Sequence, residues 1–385
     1  MDVKAVFAVS SVGLGHVKRE LAIASVLVQR VPKLTVDWLA AEPALTFLES
    51  KGERVLPVSH RLASLSQAIE DNVDERGLNF LSSMLEASRL AAANFKLIRE
   101  ELGQNSYDLA VQDEFLETLL SKRWDQNWSL APVKAAVTDY VSLKACTLNP
   151  VHRLAAWYAT RELRKSFLAQ NIRLFADEED AAGSARDVSW LRETFATVGP
   201  IVEQEPPETM EELKRTLYGV EPERRVVVFT AGGTRVGERL LSYAYAKADE
   251  LSFRLNAEIV VLTGPRISKT LGKTSARTVG FTTDSLRYFK SADCVVSQAG
   301  ASTLHELACM GAPCVAVPIP AHWEQLANAR RFAQKHGFIS LPLKELSVER
   351  LTSAVSQAIE RGCVRETRTN AAEVAASTLA EAALP

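Results

Sequence analysis

The chain alternates short apolar runs with longer segments in which apolar residues recur every three or four positions. The first run, 5–10, ends in a glycine-rich turn and is followed by a helical pattern over 19–29. A short buried strand, a glycine turn and an amphipathic helix form the repeating unit of a parallel α/β sheet. Further strands are predicted at 36–40, 54–58, 109–112, 134–138, 172–176, 226–230, 258–262, 278–281, 294–297 and 313–318.

An acidic segment with two prolines, 203–212, separates two such series and is typical of a surface linker. We therefore predict two Rossmann-like doubly wound domains that face each other across a cleft, at 1–202 and 203–363. Residues 364–385 are predicted to form a helical tail, whose return to the N-terminal domain is left open. Ligands of such sheets bind beyond the carboxyl ends of the strands, so the cleft is the expected site.

Composition and charge narrow the function class. A net charge of −2 argues against a general nucleic-acid binder, because such proteins normally carry a basic excess. The five cysteines form no CxxC pair and are typical of buried thiols in a reducing cytosol. Neither a signal-peptide pattern nor an apolar stretch of about 18 residues occurs. We expect a cytoplasmic protein, with attachment to a membrane surface left open.

The segment 297–328 carries the most specific chemistry. After a buried strand, the small residues Ala301, Ser302 and Thr303 open a helix, where free N–H groups and the helix dipole favour an anion. Glu306 follows one turn later and offers its carboxylate to two sugar hydroxyls. The alternative interpretation makes Ser302 an N-cap and Glu306 a solvated helix acid.

A polar cluster follows the next strand of this segment. The strand ends at Pro318, and His322, Glu324, Gln325 and Asn328 come soon after it. Because polar clusters at the strand ends of a parallel sheet usually face the ligand, we expect this cluster to do so as well.

In this order of residues the segment resembles the sugar-nucleotide signature of glycosyltransferase family 28, which includes the MurG-type N-acetylglucosaminyltransferases and the plant-type galactolipid synthases. It also resembles the broader UDP-glycosyltransferases. The resemblance implies a GT-B fold and an inverting transfer of sugar from a UDP-sugar to an acceptor hydroxyl. The matching positions are Gly300 to Thr303, Glu306, Gly311 to Pro313, Pro318, Glu324 with Gln325, and Asn328 with Ala329.

The resemblance also implies roles for individual residues. A second glycine loop would close over the diphosphate, and an aromatic residue would lie against the base. The implied contacts are Gly15, Gly232, Gly233, Thr234, Ala301, Ser302 and Thr303 for the diphosphate, Glu306 for the ribose, Phe281 for the base, and His322, Glu324 and Gln325 for the sugar.

The glycine turn after the first strand carries the catalytic candidate. Gly13 and Gly15 precede His16, without the third glycine of a dinucleotide fingerprint or the Lys-Ser/Thr of a Walker loop. Sugar transfer needs a base for the acceptor hydroxyl, and a histidine with a near-neutral pKa suits that task. We predict that His16 is this base and that Asp113 orients it, with Asp139 as the second candidate. The alternatives are a packing turn and a loop cap.

Two other function classes are weighed against the transferase. The segment 13–20 resembles the nucleotide-sugar hydrolases of pseudaminic-acid synthesis, in which a GxGH histidine activates water. A hydrolase or epimerase with His16 activating water is therefore the alternative, and turnover without an acceptor would identify it. A non-catalytic sugar-nucleotide-binding subunit is disfavoured, because both halves lie in one chain.

No metal or other cofactor is predicted, since the chain contains no Asp-x-Asp motif. The helix dipole and backbone N–H groups would stabilise the leaving group, with Arg235 either assisting or lying on the surface. The basic helix predicted at 152–170 indicates contact with an anionic lipid surface and a lipid-linked acceptor. A solvated helix face is the alternative.

Overall fold

The computed structural model describes residues 3–74, 77–233, 235–265 and 274–383. They fall into two compact units. A short segment of the first half of the chain belongs to unit 2, together with most of the second half, and the C-terminal segment belongs to unit 1. Unit 1 comprises Met1–Asn72, Asn79–Ile201 and Thr369–Pro385, and unit 2 comprises Val73–Leu78 and Val202–Arg368.

The strands belong to two six-stranded parallel sheets and one antiparallel hairpin. In chain order they are β1 Val3–Val9, β2 Leu34–Ala40, β3 Val73–Asp74, β4 Gly77–Leu78, β5 Leu109–Asp113, β6 Val133–Thr138, β7 Ile172–Phe175, β8 Ala196–Thr197, β9 Arg225–Thr230, β10 Ala257–Leu262, β11 Arg277–Val279, β12 Cys294–Ser297, β13 Cys314–Ala316 and β14 Ile339–Ser340. The sheet of unit 1 has the order β2-β1-β5-β6-β7-β8, and that of unit 2 the order β11-β10-β9-β12-β13-β14.

Helices connect successive strands of both sheets. They are α1 Gly15–Arg30, α2 Ala44–Ser50, α3 Ser66–Glu70, α4 Phe80–Glu101, α5 Leu116–Leu119, α6 Ser121–Trp124, α7 Pro150–Leu168, α8 Ala185–Thr194, α9 Met210–Leu213, α10 Glu238–Ala246, α11 Ala248–Leu255, α12 Ser285–Lys290, α13 Ala301–Met310, α14 Trp323–His336, α15 Val348–Arg361 and α16 Ala371–Ala383. Within unit 1 the last of these, α16, packs against α1.

Each sheet is covered on both faces, which requires nearly continuous apolar strands. In β9, Val227 and Phe229 pack on one face with α10, α11 and α15, while Val226 and Val228 pack on the other with α12 to α14. The strand order reverses between β9 and β12 in unit 2, and between β1 and β5 in unit 1. The predicted class of two Rossmann-like doubly wound domains is confirmed, and each unit has a topological switch point where ligands of this fold bind.

Some predicted elements differ from the structure. The strand expected at 54–58 is wrong: Val55 forms a single bridge to Trp38, and Pro57–Arg61 is a 3₁₀ helix, because Pro57 has no N–H to donate to a sheet. The first helix begins at residue 15 rather than 19. Among the residues that the structure describes, no helix is long and apolar enough to cross a bilayer.

Candidate functional site

In unit 1, three neighbouring strands bring polar side chains to one edge of the sheet. Gly13, with a φ of 80°, turns the chain between β1 and α1 and places His16 in the first helical turn. Asp113 is the last residue of β5, and Asp139 follows the end of β6. Since β1, β5 and β6 are adjacent and parallel, these side chains meet at their carboxyl ends.

His16 and Asp113 are in direct contact. The His16 Nδ1 lies 3.0 Å from the Asp113 Oδ1, and their side chains are 13% and 0% exposed. In the tautomer or charge state that carries a proton on Nδ1, the imidazole donates to Asp113 and leaves Nε2 for a substrate. The structure thus brings together His16, predicted from the sequence to be the catalytic base, and Asp113, predicted to orient it. Their catalytic roles stay predictions.

Arg19, one helical turn after His16, organises the carboxylates. Its Nε donates to the Asp113 Oδ2 at 2.5 Å and its Nη2 donates to the Asp113 Oδ1. Its Nη1 donates to the Asp139 Oδ2 at 2.8 Å, and Nη2 also lies 3.0 Å from the His16 Nδ1. Asp139 therefore pairs with Arg19, whereas Asp113 pairs with both Arg19 and His16.

Glu114 is a further carboxylate of this cluster. Its Oε1 accepts hydrogen bonds from the Thr138 hydroxyl at 2.9 Å and from the Asp139 backbone N–H at 3.1 Å. Its Oε2 lies 3.7 Å from the His16 Nε2. The side chain is buried, with 7% exposed.

The surrounding charges control the protonation of the pair. Burial by itself would lower the pKa of His16, but the carboxylates of Asp113 and Glu114 outweigh it and raise the pKa to about 9. Burial would raise the pKa of Asp113, but Arg19 and His16 outweigh it and lower that pKa. At neutral pH the resting site therefore holds an imidazolium beside a carboxylate. This differs from the near-neutral imidazole expected from the sequence, because the sequence does not show how many carboxylates surround the ring.

His16, Asp113 and Glu114 also have the spacing of potential metal ligands, with ligand atoms within 4.8 Å of one another. Both oxygens of Asp113 already accept from Arg19. The guanidinium is a permanent cation, so it already supplies the positive charge that a metal would bring to these carboxylates. We interpret the cluster as an ion-pair network.

Sequence reasoning missed Arg19 and Glu114. For Arg19 a signal was present: once the helix is taken to begin at the glycine turn, Arg19 lies three residues after His16 and shares its face. For Glu114 no signal was present, because a residue after a strand normally points to the opposite face from its neighbour.

In unit 2, glycine turns follow the neighbouring strands β9 and β10. Gly232, after β9, has a φ of 69°, which favours glycine. A Cβ on Gly264 would lie 2.7 Å from the Gly232 carbonyl oxygen, so this close approach requires a glycine at 264. Gly233 is buried beside Gly232, and Arg235 is exposed. Thr234 lies outside the described residues.

The helix α13 begins directly after the β12 turn. Gly300 is its N-cap and supplies no side-chain cap, so Ser302 is not the N-cap. Ala301, Ser302 and Thr303 form the first turn, and Glu306 lies in the second with 5% exposed. The alternative of a solvated helix acid at Glu306 is therefore excluded, and the first turn has the backbone geometry of an anion site.

Several side chains of the polar cluster after β13 form hydrogen bonds with the backbone. His322 is the N-cap of α14 and accepts from the Gln325 N–H at 3.4 Å, and burial lowers its pKa to about 4. The Gln325 Oε1 accepts from the Ile319 N–H at 3.0 Å, which leaves its amide nitrogen for a ligand. Asn328 donates to the Ala299 carbonyl at 3.2 Å and so ties this cluster to the β12 turn. Glu324 is half-buried in the first turn of α14.

Phe281 follows β11 at the same sheet edge and is half-buried. Its position is therefore compatible with the predicted contact to a base, and that role stays a prediction.

Comparisons with known proteins identify relatives that match part of the chain. Residues 227–383 match the model of the glycosyltransferase family 28 C-terminal domain. An uncharacterised glycosyltransferase of Methanopyrus kandleri is 32% identical over 199 residues, which are 51% of this chain and 56% of that protein. The UDP-N-acetylglucosamine--N-acetylmuramyl-(pentapeptide) pyrophosphoryl-undecaprenol N-acetylglucosamine transferase of Tolumonas auensis is 26% identical over 174 residues, 43% of this chain and 48% of that protein. The chain spans about half the length of these curated relatives.

The fold as a whole is also found among solved structures. MurG of Acinetobacter baumannii superimposes with a TM-score of 0.51 at 15% identity, covering 98% of this chain and 99% of that one. At this identity the likeness shows the fold alone. The predicted resemblance to family 28 and the predicted GT-B fold are confirmed.

Proposed function

We propose that this protein, which carries a glycosyltransferase family 28 C-terminal domain, transfers a sugar from a UDP-sugar to an acceptor hydroxyl with inversion and without a metal. The observation that carries the proposal is the buried Glu306 behind the uncapped first turn of α13, within that domain. The hydrolase or epimerase alternative is not favoured, because the matched curated relatives are named as transferases.

Unit 2 would bind the donor. The diphosphate would lie against the N–H groups of Ala301 to Thr303, where the helix dipole favours negative charge. The glycine turn at Gly232 and Gly233 offers further backbone N–H groups, and Thr234 is proposed with them from the sequence. Glu306 would accept both ribose hydroxyls, Phe281 would contact the base, and Glu324, Gln325 and His322 the sugar.

Unit 1 would activate the acceptor. The His16 Nε2 takes the proton of the acceptor hydroxyl while that oxygen attacks the anomeric carbon and the bond to the diphosphate breaks. Attack opposite the leaving group inverts the anomeric centre. Asp113 orients the ring through Nδ1 and stabilises the imidazolium that forms. Gly15 opens α1 beside this site.

Calorimetry of the full chain against UDP, dTDP, GDP and a panel of UDP-sugars, first without metal and then with Mg²⁺, tests the donor assignment. We expect UDP to bind without metal. If none of the nucleotides binds, the proposal that the protein is a glycosyltransferase is wrong. Binding that requires Mg²⁺ would contradict the metal-independent mechanism.

Glu306→Ala is expected to weaken UDP binding by about 10–100-fold, because hydrogen bonds to a charged group contribute about 1.5–3 kcal/mol. It is expected to weaken dTDP binding less, since a deoxyribose offers one hydroxyl fewer. The ratio of UDP to dTDP affinity, measured by calorimetry, should therefore move toward one. Glu349→Ala, an exposed acid on α15, is the control. An unchanged ratio would show that Glu306 does not hold the ribose.

We propose a lipid-linked acceptor and a peripheral membrane position on the basis of α7. Along this helix Val151, Leu154 and Tyr158 are spaced by three and four residues and are all exposed. Continuing the same spacing reaches Arg161 and Lys165, also exposed. A helix face that joins exposed apolar side chains to cations is the pattern of attachment to anionic lipid.

Replacing Leu154 and Trp157 together by serine is expected to reduce binding to vesicles that contain phosphatidylglycerol, because both side chains are more than half exposed. Co-sedimentation measures the bound fraction. The control is Phe253→Ser, which removes an exposed aromatic side chain from α11 in unit 2. Equal binding by the double variant and the control would contradict the lipid surface, and so would equal binding to neutral vesicles.

A further inference from the structure

Glu114 holds an unusual backbone conformation for its residue type. Its φ is 48°, in the left-handed region that residues other than glycine, asparagine and aspartate rarely adopt. Such a conformation is strained for glutamate and persists when its surroundings hold it in place. Neighbouring residues of a strand point to opposite faces. The turn at 114 breaks that alternation, so that Asp113 and Glu114 both reach His16.

The side chain of Glu114 is also fixed. One carboxylate oxygen accepts from Thr138 and from the Asp139 N–H, which leaves the second oxygen 3.7 Å from the His16 Nε2. Because Asp113 holds Nδ1, Nε2 is the nitrogen available to a substrate. The imidazole therefore has a carboxylate at each nitrogen.

We propose that Glu114 is a positioning residue for His16, which holds the ring from its Nε2 side and stabilises the imidazolium formed when His16 takes the acceptor proton. This rests on the proposed function. In the step, the acceptor O–H bond breaks, its proton passes to Nε2, the new glycosidic bond forms and the diphosphate leaves. Glu114 supplies negative charge beside the ring as the positive charge develops there.

The other titratable and charged groups around His16 also influence its pKa. Glu20 is fully buried, and burial together with Asp113 raises its pKa well above the usual value. Burial and the neighbouring Asp139 raise the pKa of Glu114 above its usual value, and the positive charges of His16 and Arg19 act in the opposite direction and favour its carboxylate form. The charged or titratable groups that face the ring are Arg19 and Glu20 from α1, Asp113 and Glu114 from the end of β5, and, through Arg19, Asp139 from the end of β6.

Glu114→Gln keeps the size of the side chain and an oxygen for Thr138 but removes the charge. NMR titration of the His16 imidazole resonance, assigned from the spectrum of His16→Gln, is expected to show a pKa at least about one unit lower than in the unchanged protein, because an opposite charge within 4–6 Å favours the charged form. The control is Glu117→Gln, another buried acid of unit 1, which accepts from Asn94 at 2.9 Å. An unchanged His16 pKa in Glu114→Gln would overturn the proposal.

Kinetics give a second readout. In Glu114→Gln the plateau of kcat at high pH is expected to fall by roughly 3–10-fold, because a weaker base removes the acceptor proton more slowly. Near pH 7 no fall is expected, since a pKa about one unit lower leaves about tenfold more of the imidazole neutral, which offsets the slower proton transfer. A loss that is equal at every pH, as an unspecific structural role produces, would contradict the proposal.

Two further variants keep the test decisive. Asparagine and aspartate suit the left-handed backbone, so Glu114→Asn replaces Glu114→Gln if the latter does not fold, and Glu114→Asp is expected to restore part of the His16 pKa. Failure of Glu114→Asp to raise the pKa above that of Glu114→Asn would overturn the proposal. The NMR titration needs no substrate, so it stands even if no sugar donor is found and the proposed function fails.

Discussion

Replacing His16 by alanine is expected to lower kcat for sugar transfer by about 10²–10⁴-fold, the range for loss of a positioned general base. Donor affinity is expected to stay unchanged, because the proposed donor contacts, apart from Gly15, lie in unit 2 and His16 lies in unit 1. Steady-state kinetics give kcat, and calorimetry with UDP gives the affinity.

The pH dependence follows from the charges around the ring. A base acts in its neutral form, and the carboxylates of Asp113 and Glu114 raise the pKa of His16 to about 9. The value of kcat/KM is therefore expected to rise about tenfold per pH unit from neutral pH and to level off near pH 9. The rise should vanish in His16→Ala.

The control for this variant is His60→Ala, since His60 is 56% exposed and pairs only with Glu49 among the contacts that the structure gives it. It should keep normal kinetics and the same pH profile as the unchanged protein. Normal turnover by His16→Ala would show that the base assignment is wrong. Loss of UDP binding in that variant would instead place His16 at the donor.

Replacing Arg19 by methionine is expected to lower the free energy of unfolding by about 3–5 kcal/mol, the range for removal of one partner from a buried ion pair. Arg19 is 5% exposed and pairs with Asp113, which is fully buried, and with Asp139. Methionine removes the guanidinium from both carboxylates, and Asp113, which is fully buried, then keeps only the His16 imidazole as a partner of opposite charge among these contacts. The pKa of Asp113, which Arg19 lowers, is expected to rise in the variant.

Urea unfolding followed by tryptophan fluorescence measures this loss. Five of the six tryptophans lie in unit 1, so the signal reports mainly the unit that contains Arg19. The control is Arg54→Met, which removes the partner of Asp37 at a position where the arginine is 62% exposed. Exposed pairs contribute less than about 1 kcal/mol. Equal losses in the two variants would contradict a central role for Arg19.

Much of the fold follows from the sequence. Apolar runs such as 226–230 are strands because both faces of a parallel sheet are covered, and the pattern predicted most of them correctly. The prediction of a strand at 54–58 was wrong because it gave the apolar pattern more weight than Pro57. The order of strands within each sheet was not predicted, because it depends on contacts between segments distant in sequence.

The site divides in the same way. The signature from Gly300 to Ala329 indicated a glycosyltransferase donor domain because its spacing is local and ordered, and the family 28 match covers it. The residue types at His16 and Asp113 indicated a base and its partner. Their separation of 97 positions is closed only by the pairing of β1 with β5.

By itself, therefore, the sequence determined the class of each domain, the glycine turns and the residue types able to bind a nucleotide sugar, because these depend on neighbours along the chain. The tertiary structure alone decided that Arg19 lies among the carboxylates, that Glu114 turns toward His16, and that the imidazole is a strong base. Those properties depend on charges that α1 and the ends of β5 and β6 bring within 4 Å of one another and shield from water. The sequence does not carry that distance, and the electrostatic energy depends on it.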